Sequence, residues 1–241
     1  MKLVIDSLSK SYGDINVLND ISFTFEEGKI YGLLGRNGSG KTTLFSCLDD
    51  RIPYNSGRGY LLGDDGSEIQ LDTSNTGLVL TDPLIPEFLT GYEFIRTFME
   101  ISGIDETDRI GEYFRMISIS EEDQHRLIKE YSMGMKNKIQ ILMYLISKPK
   151  VLLLDEPLTS FDVIVAAEIK EILKQLKNDH IIIFSTHILE LATHLCDEIV
   201  VLNNGKLELV DSSIIHTKDF EERIVEILKN EEKPDESDAA V

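Results

Sequence analysis

The chain of 241 residues carries 43 acidic and 24 basic side chains, a formal net charge of −19, and is 42% apolar. That apolar share supports a sizeable core and excludes a disordered chain. The negative field excludes nucleic acid as an expected partner unless a local basic stripe overrides it. Lys136, Lys138, Lys148 and Lys150 do cluster, but they read as a solvated helix end. The length suits one large domain or two small ones. No apolar run reaches the roughly 18 residues of a membrane span, and Asp6 interrupts the first apolar stretch too early for a secretory signal, so a cytosolic chain is expected. Cys47 and Cys196 each lie in an apolar pattern and read as buried free thiols.

In chain order, residues 2–8 and 21–25 alternate apolar and polar side chains with period two, as half-buried strands do. Ser11-Tyr12-Gly13-Asp14 reads as a turn between them. A short apolar strand over 29–34 leads into a glycine-rich loop and a helix at 42–49. Strand-like pieces follow at 60–62, 68–71 and 77–80. Thr90 and Glu93 form a capping box for a helix reaching about Ile101. A second helix starts at 105–108, with Ile110, Tyr113, Phe114 and Ile117 at helical spacing, and a third runs from Ser120 toward Glu130. The α/β pattern then returns: helix 134–147, strand 151–154, helix 163–176, strand 181–184 and helix 188–195. Wholly apolar strands imply a parallel sheet covered on both faces. A hairpin over 198–210 turns at Asn203-Asn204-Gly205, a last helix covers 219–229, and the acidic tail from 231 is expected to be disordered.

Gly35-Arg36-Asn37-Gly38-Ser39-Gly40-Lys41-Thr42-Thr43 fits Gly-x-x-x-x-Gly-Lys-[Ser/Thr] between a strand and a helix. The glycines let successive N–H groups face one point, and the helix N-terminus adds positive potential there. Lys41 would reach β- and γ-phosphates, and the Thr42 hydroxyl would sit on Mg²⁺. The bland alternative is a glycine-rich turn before an ordinary helix. Asp155 and Glu156 close the buried strand 151–154. There one carboxylate can hold Mg²⁺ and the other can polarise a water, or both can simply cap a strand before the turn at Pro157.

Two more stretches, Tyr131-Ser132-Met133-Gly134-Met135-Lys136 and Ser185-Thr186-His187, complete a set of four motifs. In order and spacing the set resembles the nucleotide-binding domain of ATP-binding cassette (ABC) proteins, from Tyr12 to about Gly205. The resemblance implies an α/β P-loop NTPase fold: a RecA-like core, an N-terminal antiparallel β-subdomain and an inserted α-helical subdomain. It implies a single domain over 1–230, with 1–83 and 146–230 as core and β-subdomain and 84–145 as the helical subdomain. It implies ATP and Mg²⁺ as ligands, with Tyr12 stacking on adenine, Gly35 to Thr43 as the Walker A loop, and Asp155 and Thr42 on the metal. Glu156 is similar to the catalytic glutamate, His187 to the switch histidine that contacts the γ-phosphate, and Asp162 to the D-loop acid at a dimer interface. Ser132 and Gly134 resemble the signature that contacts ATP bound by the opposite subunit. The expected partners are a second nucleotide-binding subunit, identical or related, and a separate integral membrane subunit, with the chain peripheral on the inner face of the cell membrane.

The chain departs from the family in two motifs. Thr81 stands where a Gln usually touches metal and water, with Asp82 beside it, and Met133 and Met135 replace the usual first Gly and the Gln of the signature. The form Ser-x-Gly-Met-Lys resembles that of some bacterial drug- and peptide-export subunits. Two other readings stay open: a soluble ABC-type ATPase acting on something other than a transporter, and a regulatory cassette that hydrolyses ATP poorly.

Overall fold

The computed structural model describes residues 1–157, 163–211 and 217–229. β1 (Lys2–Tyr12) and β2 (Ile15–Glu26) pair antiparallel and run further than the alternating segments suggested. Their pairing continues to Tyr12 opposite Ile15, so the turn narrows to Gly13-Asp14, with Gly13 at φ +58°. β3 (Ile30–Leu34) is wholly buried and leads through residues 35–40 into α1 (Lys41–Leu48). β4 (Ser56–Leu62) and β5 (Glu68–Gln70) extend the antiparallel sheet in the order β2-β1-β4-β5. β6 (Thr76–Val79) is again fully buried.

Helices come next. α2 (Gly91–Ile101) begins at the Thr90–Glu93 capping box and buries Ile95 and Met99, four residues apart on one face. α3 (Ile110–Met116) follows a 3₁₀ turn and buries Ile110, Tyr113 and Phe114. α4 (Glu121–Gln124) is a single turn rather than a helix reaching Glu130. The cause is visible in the backbone bonds: Ile128 and Lys129 N–H donate to the carbonyls of Leu89 and Glu87, pulling the chain away from a helical path. α5 (Met133–Ser147) is capped by Ser132, whose Oγ accepts from the Met135 N–H at 3.2 Å.

β7 (Val151–Leu154), α6 (Val163–Leu176), β8 (Ile181–Thr186), α7 (Leu189–Leu195), β9 (Glu198–Asn203), β10 (Lys206–Val210) and α8 (Lys218–Lys229) complete the chain. The second sheet has six strands in the order β10-β9-β3-β8-β7-β6. All pairs are parallel except the β9–β10 hairpin at the edge. Alternate side chains of its strands feed two cores. Leu152, Leu154, Ile182 and Phe184 pack with α2, α3, α5 and α6. Leu153, Ile183, Tyr31 and Leu33 pack with α1 and the antiparallel sheet. Each fully buried aliphatic in this double-sided sheet contributes about 1.5–3 kcal/mol by leaving water. Because β3, β6, β7 and β8 run parallel, their C-terminal ends emerge at one edge, where open α/β sheets bind ligands.

Candidate functional site

Four strand ends converge there. Leu34 pairs with Thr186, Leu154 with Phe184 and Val79 with Leu154. The residues that follow, 35–40, Thr81, Asp155–Glu156 and His187, are therefore brought together by register. A cavity of about 350 Å³ lies among them, lined by Asn37, Gly38, Gly40, Lys41, Thr42, Thr43, Thr81, Asp155, Glu156 and, from β2, Val17.

The loop depends on its glycines. Gly38 and Gly40 lie at φ +82° and +102°, and a Cβ on Gly40 would stand 2.7 Å from Val17 Cγ1. A side chain there would meet strain and a clash together. Lys41 is 6% exposed, and its Nζ donates to the carbonyl of Gly35 at 2.9 Å and of Arg36 at 3.3 Å. Burial pushes its ammonium below the usual range, opposed by the charges of Glu156 and Asp155. Glu156 Oε1 stands 3.9 Å away. The arrangement is a buried cation with loop carbonyls as its neighbours, suited to an anion that approaches the loop.

Asp155 is held from two sides. Thr42 Oγ1 donates to its Oδ2 at 2.6 Å and Ser185 Oγ to its Oδ1 at 2.7 Å. Thr81 Oγ1 donates to its backbone carbonyl at 2.9 Å. Glu156 adopts φ +48°, a left-handed conformation rare for a residue with a side chain. Its N–H donates to Ser185 Oγ at 2.9 Å, and its Oε2 lies 3.0 Å from His187 Nδ1. His187 is exposed, so the Glu156–His187 pair faces outward from the buried Asp155.

The residues fit ATP and Mg²⁺ on two observations. Ser39 Oγ is buried without a hydrogen-bond partner in the glycine-rich loop that walls the cavity. Thr42 and Asp155 supply adjacent hard oxygen donors, the set that Mg²⁺ takes.

Other candidates stand apart. Tyr12 ends β1, 49% exposed, with the Lys10 ammonium 4.9 Å from its ring centre, and it does not line the cavity. Ser132 and Gly134 open α5 and do not line it either; Ser132 is exposed. Asp162 lies outside the described residues. Two residues were missed in the sequence. Val17 walls the loop, and its signal was no more than an apolar position outside the strands read from the sequence. Ser185 links the Asp155 carboxylate to the Glu156 backbone N–H; it appeared only as the first residue of Ser-Thr-His, although a polar residue closing the apolar run Ile181–Phe184 was legible.

The sequence model of the family described as ABC transporter matches residues 18–159. The chain is 34% identical to the uncharacterized ABC transporter ATP-binding protein YxlF of Bacillus subtilis, over 85% of this chain and 69% of that protein. It is 32% identical to the lantibiotic transport ATP-binding protein SrtF of Streptococcus pyogenes, over 86% of this chain and 89% of SrtF. A solved ATP-binding subunit of an ABC transporter superposes with a TM-score of 0.83 at 25% identity, covering 95% of this chain and all of the other. The motif order, the converging strand ends and these likenesses agree: the chain belongs to the ABC transporter family, as an ATP-binding protein.

Proposed function

We propose that the chain binds ATP·Mg²⁺ at residues 35–43 and hydrolyses it, and that two such subunits closing over two nucleotides drive a separate membrane subunit. The observation that carries this reading is the linked series Thr42–Asp155–Ser185–Glu156–His187, which joins the loop to two strand ends. Lys41 exchanges its loop carbonyls for β- and γ-phosphate oxygens. Tyr12 offers an exposed aromatic face to adenine, a contact of about 1–3 kcal/mol by analogy with base stacking. Bound Mg²⁺ supplies neutralisation of phosphate charge, and Thr42 and Asp155 are the residues that would hold it, with Thr81 at the rim. Glu156 accepts the proton of the attacking water, and His187 keeps Glu156 oriented while reaching toward the γ-phosphate. Ser132, exposed, and Gly134, half-buried, at the start of α5 would present N–H groups and the helix dipole to a nucleotide held by the second subunit. Asp162 would cross the same interface.

Among the described residues no helix is long and apolar enough to cross a membrane; the separate membrane subunit of this reading is supported by the relatives named as transport ATP-binding proteins. Leu84 and Phe88, each 78% exposed between β6 and α2, are the expected contact with it. In this reading the chain sits peripherally, on the inner face of the membrane. SrtF is named for lantibiotic transport; cargo selection by the present system would lie in its membrane subunit.

Replacing Glu156 by Gln tests the reading. ATP binding is expected to persist, turnover to fall by about 10²- to 10⁴-fold, and an ATP-dependent dimer to accumulate on size exclusion. A variant that stays monomeric with ATP, beside a wild type without ATPase activity, would sink it. A weakly hydrolysing regulatory cassette is favoured by one observation: Thr81 lacks an amide and spends its hydroxyl on the Asp155 carbonyl. Negligible wild-type turnover in the presence of the membrane partner would select that reading.

A further inference from the structure

Ser185 is fully buried at the end of β8, after four apolar residues. A hydroxyl taken out of water costs about 1–3 kcal/mol unless it is hydrogen-bonded. An aliphatic side chain would fill the same space without that cost. Both capacities of this hydroxyl are used, and both on the pair of acids that end β7. It donates to Asp155 Oδ1 at 2.7 Å and accepts from the Glu156 N–H at 2.9 Å. The pairing of Leu154 with Phe184 sets Asp155 and Ser185 side by side, so the contact is dictated by register.

The two bonds do different things. On Asp155, one oxygen is taken by Ser185 and the other by Thr42. When the Thr42 hydroxyl turns to a cation, Ser185 still fixes the plane of the carboxylate and leaves Oδ2 facing the site. On Glu156, the bond from its N–H anchors a backbone held at φ +48°, the conformation that aims the side chain at His187 and toward Lys41. We propose that Ser185 is a positioning residue that locks the cation-holding Asp155 and the water-activating Glu156 into one rigid unit. The proposal rests on the reading of this site as an ATP·Mg²⁺ centre. Outer-shell partners of metal-binding groups commonly matter by about 10- to 100-fold in affinity or activity.

The full chain carrying Ser185→Ala or Ser185→Cys is compared with wild type by three measurements: the ligand-free unfolding midpoint, the midpoint shift by ATP as Mg²⁺ is titrated against an EDTA control, and turnover resolved into kcat and KM. For Ser185→Ala, the Mg²⁺ needed for the half-maximal shift should rise and kcat fall, each by about 10-fold or more, with the EDTA control and KM little changed. Cysteine refills the volume but donates poorly. Ser185→Cys should therefore recover the ligand-free midpoint without recovering the Mg²⁺ dependence or kcat. Wild-type behaviour in Ser185→Ala, or full recovery in Ser185→Cys, would reduce Ser185 to a space-filling role. If wild type itself gains no stability from ATP and Mg²⁺, the ATP·Mg²⁺ reading falls and this proposal with it. If wild type binds and hydrolyses ATP while Ser185→Ala matches it, this proposal alone falls.

Discussion

The strand-end site and the helical layer over residues 84–145 are held together in opposite ways. At the strand ends the bonds that hold Asp155 join distant parts of the chain: Thr42 to Asp155, Ser185 to Asp155, Thr81 to the Asp155 carbonyl. In the helical layer the side-chain bonds at helix starts are local, each spanning three residues: Thr90 with Glu93, Ser120 with Asp123, Ser132 with Met135. The layer is fixed to the rest mostly through apolar packing, joined by the bond from the Tyr144 hydroxyl to the Leu78 carbonyl and the Lys138–Glu168 pair. Ile95, Met99, Phe114 and Ile117 share a core with Leu152, Leu154 and Phe184 of the parallel sheet. Apolar contact is non-directional, whereas the linked hydrogen bonds of the site define one geometry. A family member that closes a dimer around nucleotide needs the first to be rigid and can let the second shift as a body.

Substitutions at the two regions should therefore separate stability from ligand response. The largest stability loss is expected from Phe114→Ala. The ring is fully buried at the centre of the helical layer, and emptying its volume costs about 3–5 kcal/mol. Denaturant unfolding should register that loss, while the upward midpoint shift produced by ATP and Mg²⁺ stays close to wild type. Loss of the shift in this variant would mean that the layer and the strand-end site are not separable in this way.

Asp155→Ala is the converse case. It leaves the Ser185 hydroxyl buried without its acceptor, a cost of about 1–3 kcal/mol, and Thr42 turns to water at an exposed position. The stability loss is smaller than for Phe114→Ala, yet the Mg²⁺-dependent part of the nucleotide shift should vanish. Differential scanning fluorimetry with ATP, with and without EDTA, reads both quantities. A variant that kept the Mg²⁺-dependent shift would remove Asp155 from the site.

The same division governs what the sequence discloses. Local patterns are readable in place: the Thr90–Glu93 box, the Ser132 cap, the glycine loop before Lys41, the apolar run Val151–Leu154. The β1–β2 hairpin ran past its predicted ends because cross-strand bonds, absent from any period-two count, carry it to Tyr12. α4 stopped early because bonds from Ile128 and Lys129 reach back to Leu89 and Glu87. Ser185 and Val17 escaped for the same reason, since each acquires its role only from a strand paired or packed alongside. Asp155 and Glu156 were legible because their motif is contiguous; the hydroxyl between them lies thirty residues away.

The smallest effect expected is at the local end of this contrast. Glu93 accepts from the Thr90 N–H at 2.9 Å and from the Thr90 hydroxyl at 3.0 Å. The backbone bond first, then the hydroxyl, holds its carboxyl below the ordinary value of 4.5. A carboxyl depressed in the folded state contributes stability above its unfolded pKa and loses it as pH falls through the folded value. In Glu93→Gln that contribution is absent at every pH. The difference in unfolding free energy between wild type and this variant should thus be present at pH 7, begin to shrink below about pH 4.5, and be smaller than either loss above, because the side chain is exposed and solvent screens it. The bond is three residues long, so the ATP and Mg²⁺ response should not move with it. A pH-independent difference would show that the capping box acts through shape and not through charge, and a changed ligand response would tie this surface cap to the strand ends after all.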